Sequence, residues 1–133
     1  MTVAAAMSEA EVERAVAGMV KQLALFGYHT RDSRRSAAGF PDWTICGPGG
    51  VIFRELKREG KHPTGAQLAW LDALTAAGVD AGVWCPSDLL AGRIARELAR
   101  LSRPARPART AARRGQFGGA SGVQWTPPGG TAA

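Results

Sequence analysis

Residues 39–57 read GFPDWTICGPGGVIFRELK, two apolar, strand-like runs on either side of a four-residue turn. Gly47, Pro48, Gly49 and Gly50 are strong turn formers. Residues 40–46 form one candidate strand, and residues 51–56, rich in β-branched and aromatic side chains, form the next. Two such runs joined by such a turn predict an antiparallel hairpin. Asp42 stands five residues before the turn and Glu55 five residues after it, so antiparallel pairing brings the two close together. Lys57 follows Glu55 by two and points to the same face. The alternation Val51, Phe53, Glu55, Lys57 places both charges at the end of a face that starts apolar, with Ile52, Arg54 and Leu56 on the other face.

Two carboxylates and an ammonium at the open end of a hairpin have a chemical use. Hard divalent cations such as Mg²⁺ or Mn²⁺ take one or two carboxylates together with water and phosphate oxygens. A cation so held polarises a phosphodiester and lowers the pKa of bound water. The neighbouring carboxylates favour the charged form of Lys57, which assigns it orientation and charge stabilisation rather than general-base work. The bland alternatives are a strand-entry role for Asp42 and ordinary exposed strand positions for Glu55 and Lys57.

Toward the N-terminus, Ser8 caps a helix whose start carries Glu9, Glu11 and Glu13. Val12, Val16, Met19, Val20, Leu23 and Phe26 recur at helical spacing, and Gly27 is expected to end the run. Residues 28–31 suggest a short strand, followed by a polar loop over 32–38. Beyond the hairpin, a basic connection over 58–65 leads to a helix over 66–77, stopped by Gly78. A fourth strand over 79–85 and a last helix from Pro86 to about Leu101 complete the pattern. Helix, three-stranded meander, helix, strand and helix make one α/β domain.

The run GFPDW, the turn, VIFRELK, the helix GAQLAWLDAL and then AGVWCPSD resemble the VRR-NUC (virus-type replication-repair nuclease) family of the PD-(D/E)xK superfamily, over about residues 8–101. The resemblance implies a restriction-endonuclease-like core and metal-dependent cleavage of DNA. It implies Asp42, Glu55 and the Leu56 carbonyl as metal ligands, Lys57 as the completing catalytic residue, and Gln67 at the edge of the site. It also implies a glutamate from the first helix, for which Glu9 is the first choice and Glu13 the second. Stand-alone members resemble junction-resolving enzymes, so a homodimer acting on junctions or flaps in replication and repair is expected. Small phage-encoded copies are common in the family, which makes a phage or prophage origin an expectation too.

Charge is unevenly spread. The 133 residues carry a formal net charge of +6. Residues 102–133 hold five arginines and no acid, leaving the body with 12 basic and 11 acidic groups. The tail is rich in Arg, Pro, Ala and Gly, a composition expected to stay disordered. Residues 123–125 are a candidate sticky patch within it. The expected organisation is therefore a flexible start (1–7), a nuclease-like domain (8–101) and a basic tail (102–133). Substrate contacts are expected from Arg31, Arg34, Arg35, Arg58 and Lys61. His29 is either a phosphate contact or a polar residue at a strand end, and His62 belongs to the same basic loop as Arg58 and Lys61. Cys46 and Cys85 fit no ligand or redox spacing and read as small buried hydrophobes. Trp43, Trp70 and Trp84 read as core residues, Trp70 with a dimer contact as the alternative. No apolar run reaches bilayer length and no leader-like start is present, so a cytoplasmic protein without a membrane partner is expected. Two rival readings stand beside the nuclease: a catalytically inactive nucleic-acid-binding module acting through the tail, and an accessory protein acting through protein contacts.

Overall fold

A computed structural model describes residues 1–31 and 33–105 of the chain. The tail beyond Ala105, with most of its arginines and residues 123–125, lies outside the described residues.

The first long helix, α2 (Glu9–Gln22), follows a one-turn helix, α1 (Val3–Ala6). Thr2 caps α1, which packs against α4 (Pro86–Leu90). In α2, Ser8 and Glu11 form a capping box: the Ser8 hydroxyl accepts from the Glu11 N–H while the Glu11 carboxylate accepts from the Ser8 N–H. The helix stops four residues earlier than Gly27. Ala24 takes a left-handed φ of 54°, Leu25 dives into the core, and the chain is already extended at Phe26. Gly27 instead serves close packing inside β1 (Phe26–His29), where a Cβ would lie 2.9 Å from Val20 and 3.0 Å from Trp43.

Strands β1, β2 (Trp43–Gly47) and β3 (Gly50–Leu56) form an antiparallel meander. The hairpin register pairs Gly47 with Gly50 and Trp43 with Arg54. Continued by one residue, it sets Asp42 opposite Glu55. Helix α3 (Gly65–Ala76) crosses over to β4 (Asp80–Trp84), which pairs in parallel with β3 and gives the order β1-β2-β3-β4. Gly78, at φ 82°, provides the left-handed turn that closes α3. The expected last helix is two: Gly92, at φ 78°, breaks it into α4 and α5 (Arg93–Leu101).

One sheet face carries Trp43, Ile45, Ile52, Leu56 and Trp84 and packs under α2 and α5, with Val12, Val16, Ile94 and Leu98 wholly buried. Trp43 and Trp84 are thus core residues. Arg54 joins this face at only 3 % exposure, its guanidinium paired with Asp80 at 2.8 Å and Glu97 at 3.2 Å and lying over the Trp84 ring. This is therefore the deeper face, and the Val51 end of the other face is open to solvent. Cys46, on that open face, is exposed rather than buried, and Cys85 is half-buried.

Candidate active site

Glu55 is the most deeply buried acid of the chain's described residues, at 2 % exposure, and it sits on the α3 face of β3. Its Oε1 accepts a hydrogen bond from the Gln67 amide and lies 3.4 Å from the Lys57 ammonium. Its Oε2 is buried with no hydrogen-bond partner. Asp42, just before β2, accepts the Leu56 N–H at 2.7 Å. The hairpin thus brings together the three residues that its symmetry predicted.

The electrostatics are those of a site short of positive charge. Burial, and then the nearby Asp42 carboxylate, push the Glu55 carboxyl up to about 7, against the pull of Lys57 and, more weakly, of the Asp42 backbone N–H. Burial also raises the Asp42 carboxyl; the Leu56 N–H, His29 and Lys57 oppose the rise, and Glu9 adds to it. Two carboxylates that resist ionising together, one with an unused oxygen, are a donor set that a divalent cation satisfies. Among the described residues no three acidic, His or Cys side chains converge into a closed cage.

Backbone geometry supports the same corner. Lys57 N–H donates to the Trp84 carbonyl at 3.0 Å, which ties β3 to β4 through alternate residues. Leu56 therefore turns its own N–H away from β4, toward Asp42. In an extended residue the C=O leaves on the same side as the N–H, so the Leu56 carbonyl faces the Asp42 edge too.

Gln67 is positioned from both sides of its amide. Thr64 and Gln67 form a capping box at the start of α3: the Thr64 hydroxyl accepts from the Gln67 N–H, and Gln67 Oε1 accepts from the Thr64 N–H at 2.8 Å. This orients the amide with its Nε2 toward Glu55. Thr64 was not among the expected residues, although the Thr-x-x-Gln spacing before an apolar helix signals the box. The facing wall is set by Gly39, at φ 85°, whose missing Cβ would fall 2.4 Å from the Ala66 backbone, and by the Trp70 indole N–H donating to the Ala38 carbonyl. Trp70 is thereby a loop anchor. Between these walls lies a cleft of about 370 Å³ reached by Arg31, Thr30, Asp42, Thr64 and Gln67.

The remaining residues fall around this corner. Glu9 accepts the Arg58 N–H at 3.1 Å and lies within electrostatic reach of Asp42. Glu13 instead pairs with His29 at 3.6 Å, and His29 packs edge-on against Trp43 with its Nδ1 buried and unpartnered. Arg31, Arg34 and Arg35 are exposed on the loop beside the cleft, Arg34 and Arg35 within a 3-10 turn (Ser33–Arg35). Arg58, Lys61 and His62 are exposed on the connection to α3.

No protein-family model matches the chain, and no protein of curated function matches it significantly. A solved structure described as a VRR_NUC domain protein does: the two superpose with a TM-score of 0.54 at 20% sequence identity, covering 71% of this chain and 90% of the other. The chain has the restriction-endonuclease-like α/β fold of that protein.

Proposed function

We propose that the protein is a VRR-NUC-type nuclease that hydrolyses phosphodiester bonds of DNA with Mg²⁺ or Mn²⁺. The observation that carries this reading is the buried, unpartnered Glu55 Oε2 beside Asp42 and Lys57, at the end of the hairpin. Asp42, Glu55 and the Leu56 carbonyl would hold the cation, with Glu9, already drawn toward the end of β3, as the fourth contributor ahead of Glu13. When bound, the cation supplies Lewis-acid polarisation of the phosphate and acidification of a water.

The chain's own residues do the rest. Lys57, charged beside Glu55, directs its ammonium at the scissile phosphate and offsets the negative charge that builds on it. Gln67, held rigid by Thr64, keeps one Glu55 oxygen occupied and so leaves the other free for the cation. Arg31, Arg34 and Arg35 on one side, and Arg58 and Lys61 on the other, bind flanking phosphates without reading sequence. A body of nearly balanced charge gains further grip from the tail arginines and from pairing as a homodimer, which would present two cutting sites to a junction or flap.

The test is a panel of labelled linear, flapped and four-way-junction DNA incubated with Mg²⁺, Mn²⁺ or EDTA. Metal-dependent cleavage of at least one substrate supports the reading, and the preferred substrate defines its class. Binding without cleavage under every condition would leave a nucleic-acid-binding module in its place.

A further inference from the structure

Among the described residues, helix α3 packs over β4 and the β1–β2 half of its sheet face stays uncovered. On that bare half Phe26 is 79% exposed and Tyr28 65% exposed, with Cys46 and Val51 beside them. Residues two apart on a strand share a face and stand about 7 Å apart. The row Phe26, Tyr28, Thr30 therefore runs along the bare face. It ends at the catalytic corner, where the Thr30 N–H donates to the Asp42 carbonyl at 2.9 Å. Cross-strand pairing of Tyr28 with Thr44 and of Thr44 with Phe53 puts these rings on the same side of the sheet as Asp42 and Glu55.

We infer that this bare half-sheet is a stacking platform for unpaired nucleobases, leading a single-stranded segment of nucleic acid to the Asp42–Glu55 corner. Exposed aromatic rings spaced along a sheet surface hold single strands by stacking, which tolerates any sequence because every base has a π-face. Duplex bases are already stacked on one another and offer no face to such rings. Three further features fit this occupant. At the β1 edge, where this row ends, lies a second cleft of about 490 Å³ lined by Tyr28, His29, Thr30, Arg31 and Trp43. Thr30 and Arg31 line both clefts. The loop at that end carries Arg31, Arg34 and Arg35, all exposed, which complement a phosphate backbone.

The inference rests on the nuclease reading for the direction of the strand, while the binding itself is independent of it.

The experiment measures the affinity of the full chain for a fluorescent oligothymidine decamer in EDTA, across a series of salt concentrations, for wild type, Phe26→Ala, Tyr28→Ala and Tyr28→Phe. Mass in solution is measured for each by light scattering. Both rings are exposed, so the variants are expected to fold, which circular dichroism checks. The expected result is a loss of about fivefold or more for each alanine variant. The loss should be the same at every salt concentration, because stacking releases no counterions. Tyr28→Phe should bind as wild type does, and no variant should change mass. Unchanged affinity in both alanine variants would overturn the inference. So would a fall in mass from dimer to monomer, which would make the face a contact between two copies. Because no cation is present, a failure of cleavage leaves this result standing, and a failure of binding leaves cleavage to be judged separately.

Discussion

Glu55 carries the most specific consequences at the scale of single residues. Its carboxyl titrates at about 7 in the fold against 4.5 for an unperturbed glutamate, so between these values the native state holds a proton that the unfolded chain has lost. The stabilisation this gives is fully present below about 4.5 and disappears as the pH rises through about 7. In EDTA, the melting temperature should therefore decline from pH 5 to pH 8, and Glu55→Gln should flatten that decline. Added Mn²⁺ should restore more stability at pH 8 than at pH 5.5, since it takes the ionised carboxylate. An equal shift at both pH values would place the cation elsewhere. That Asp42, Glu55 and Lys57 meet was legible in the sequence, because the symmetry of a hairpin about its turn fixes which residues face each other. The burial of Arg54 was not. Its period-2 position put it on the Ile52–Leu56 face, but its partners Asp80 and Glu97 lie 26 and 43 residues away, and no local pattern links them. Arg54→Met should cost about 3 kcal/mol in denaturant unfolding, the low end for breaking a buried pair because Asp80 is well exposed. A change within experimental error would make the network ornamental.

At the scale of elements, the site depends on where α3 begins. Thr64 and Gln67 close its first turn, and Gly39 lets the loop before β2 press against the Ala66 backbone. Gly39→Ala meets both a left-handed φ and a backbone clash. It should lose about 2 kcal/mol of stability. It should also lower cleavage by moving Gln67 away from Glu55; wild-type activity in this variant would show that the wall is not needed. The order of elements was readable because each has its own periodicity and its own stop. Their boundaries were less so. Phe26 continues the helical spacing of α2, yet Ala24 ends the helix by adopting a conformation that alanine rarely takes, and no local signal announces it. Gly92 did carry a signal, a glycine inside a helical run, but its flanks Leu89, Leu90 and Ile94 share one apolar spacing that masks the break.

At the scale of the whole molecule, charge divides the work. The body is nearly neutral and the tail strongly cationic, so cutting falls to the body and non-specific grip to the tail. Removing residues 106–133, which takes away four arginines, should weaken duplex binding and reduce its salt dependence while metal-dependent cleavage at low salt persists. Complete loss of cleavage at saturating protein would contradict that division. A strict reading of overall charge would have missed it, because the formal +6 sits almost entirely beyond the domain. The bare half of the sheet was likewise invisible in the sequence, where Phe26 reads as the last apolar position of a helix; only the early stop of α2 turns it outward.

The most direct test of the central claim is single-turnover cleavage of the preferred DNA substrate in Mg²⁺ by wild type, Asp42→Ala and Lys57→Ala, each shown to be folded. Both variants should lose about 10²- to 10³-fold in rate. Lys57→Ala should keep the Mn²⁺-induced rise in melting temperature, and Asp42→Ala should lose it. Cleavage at the wild-type rate in either variant would mean that the hairpin corner is not where the phosphodiester is broken.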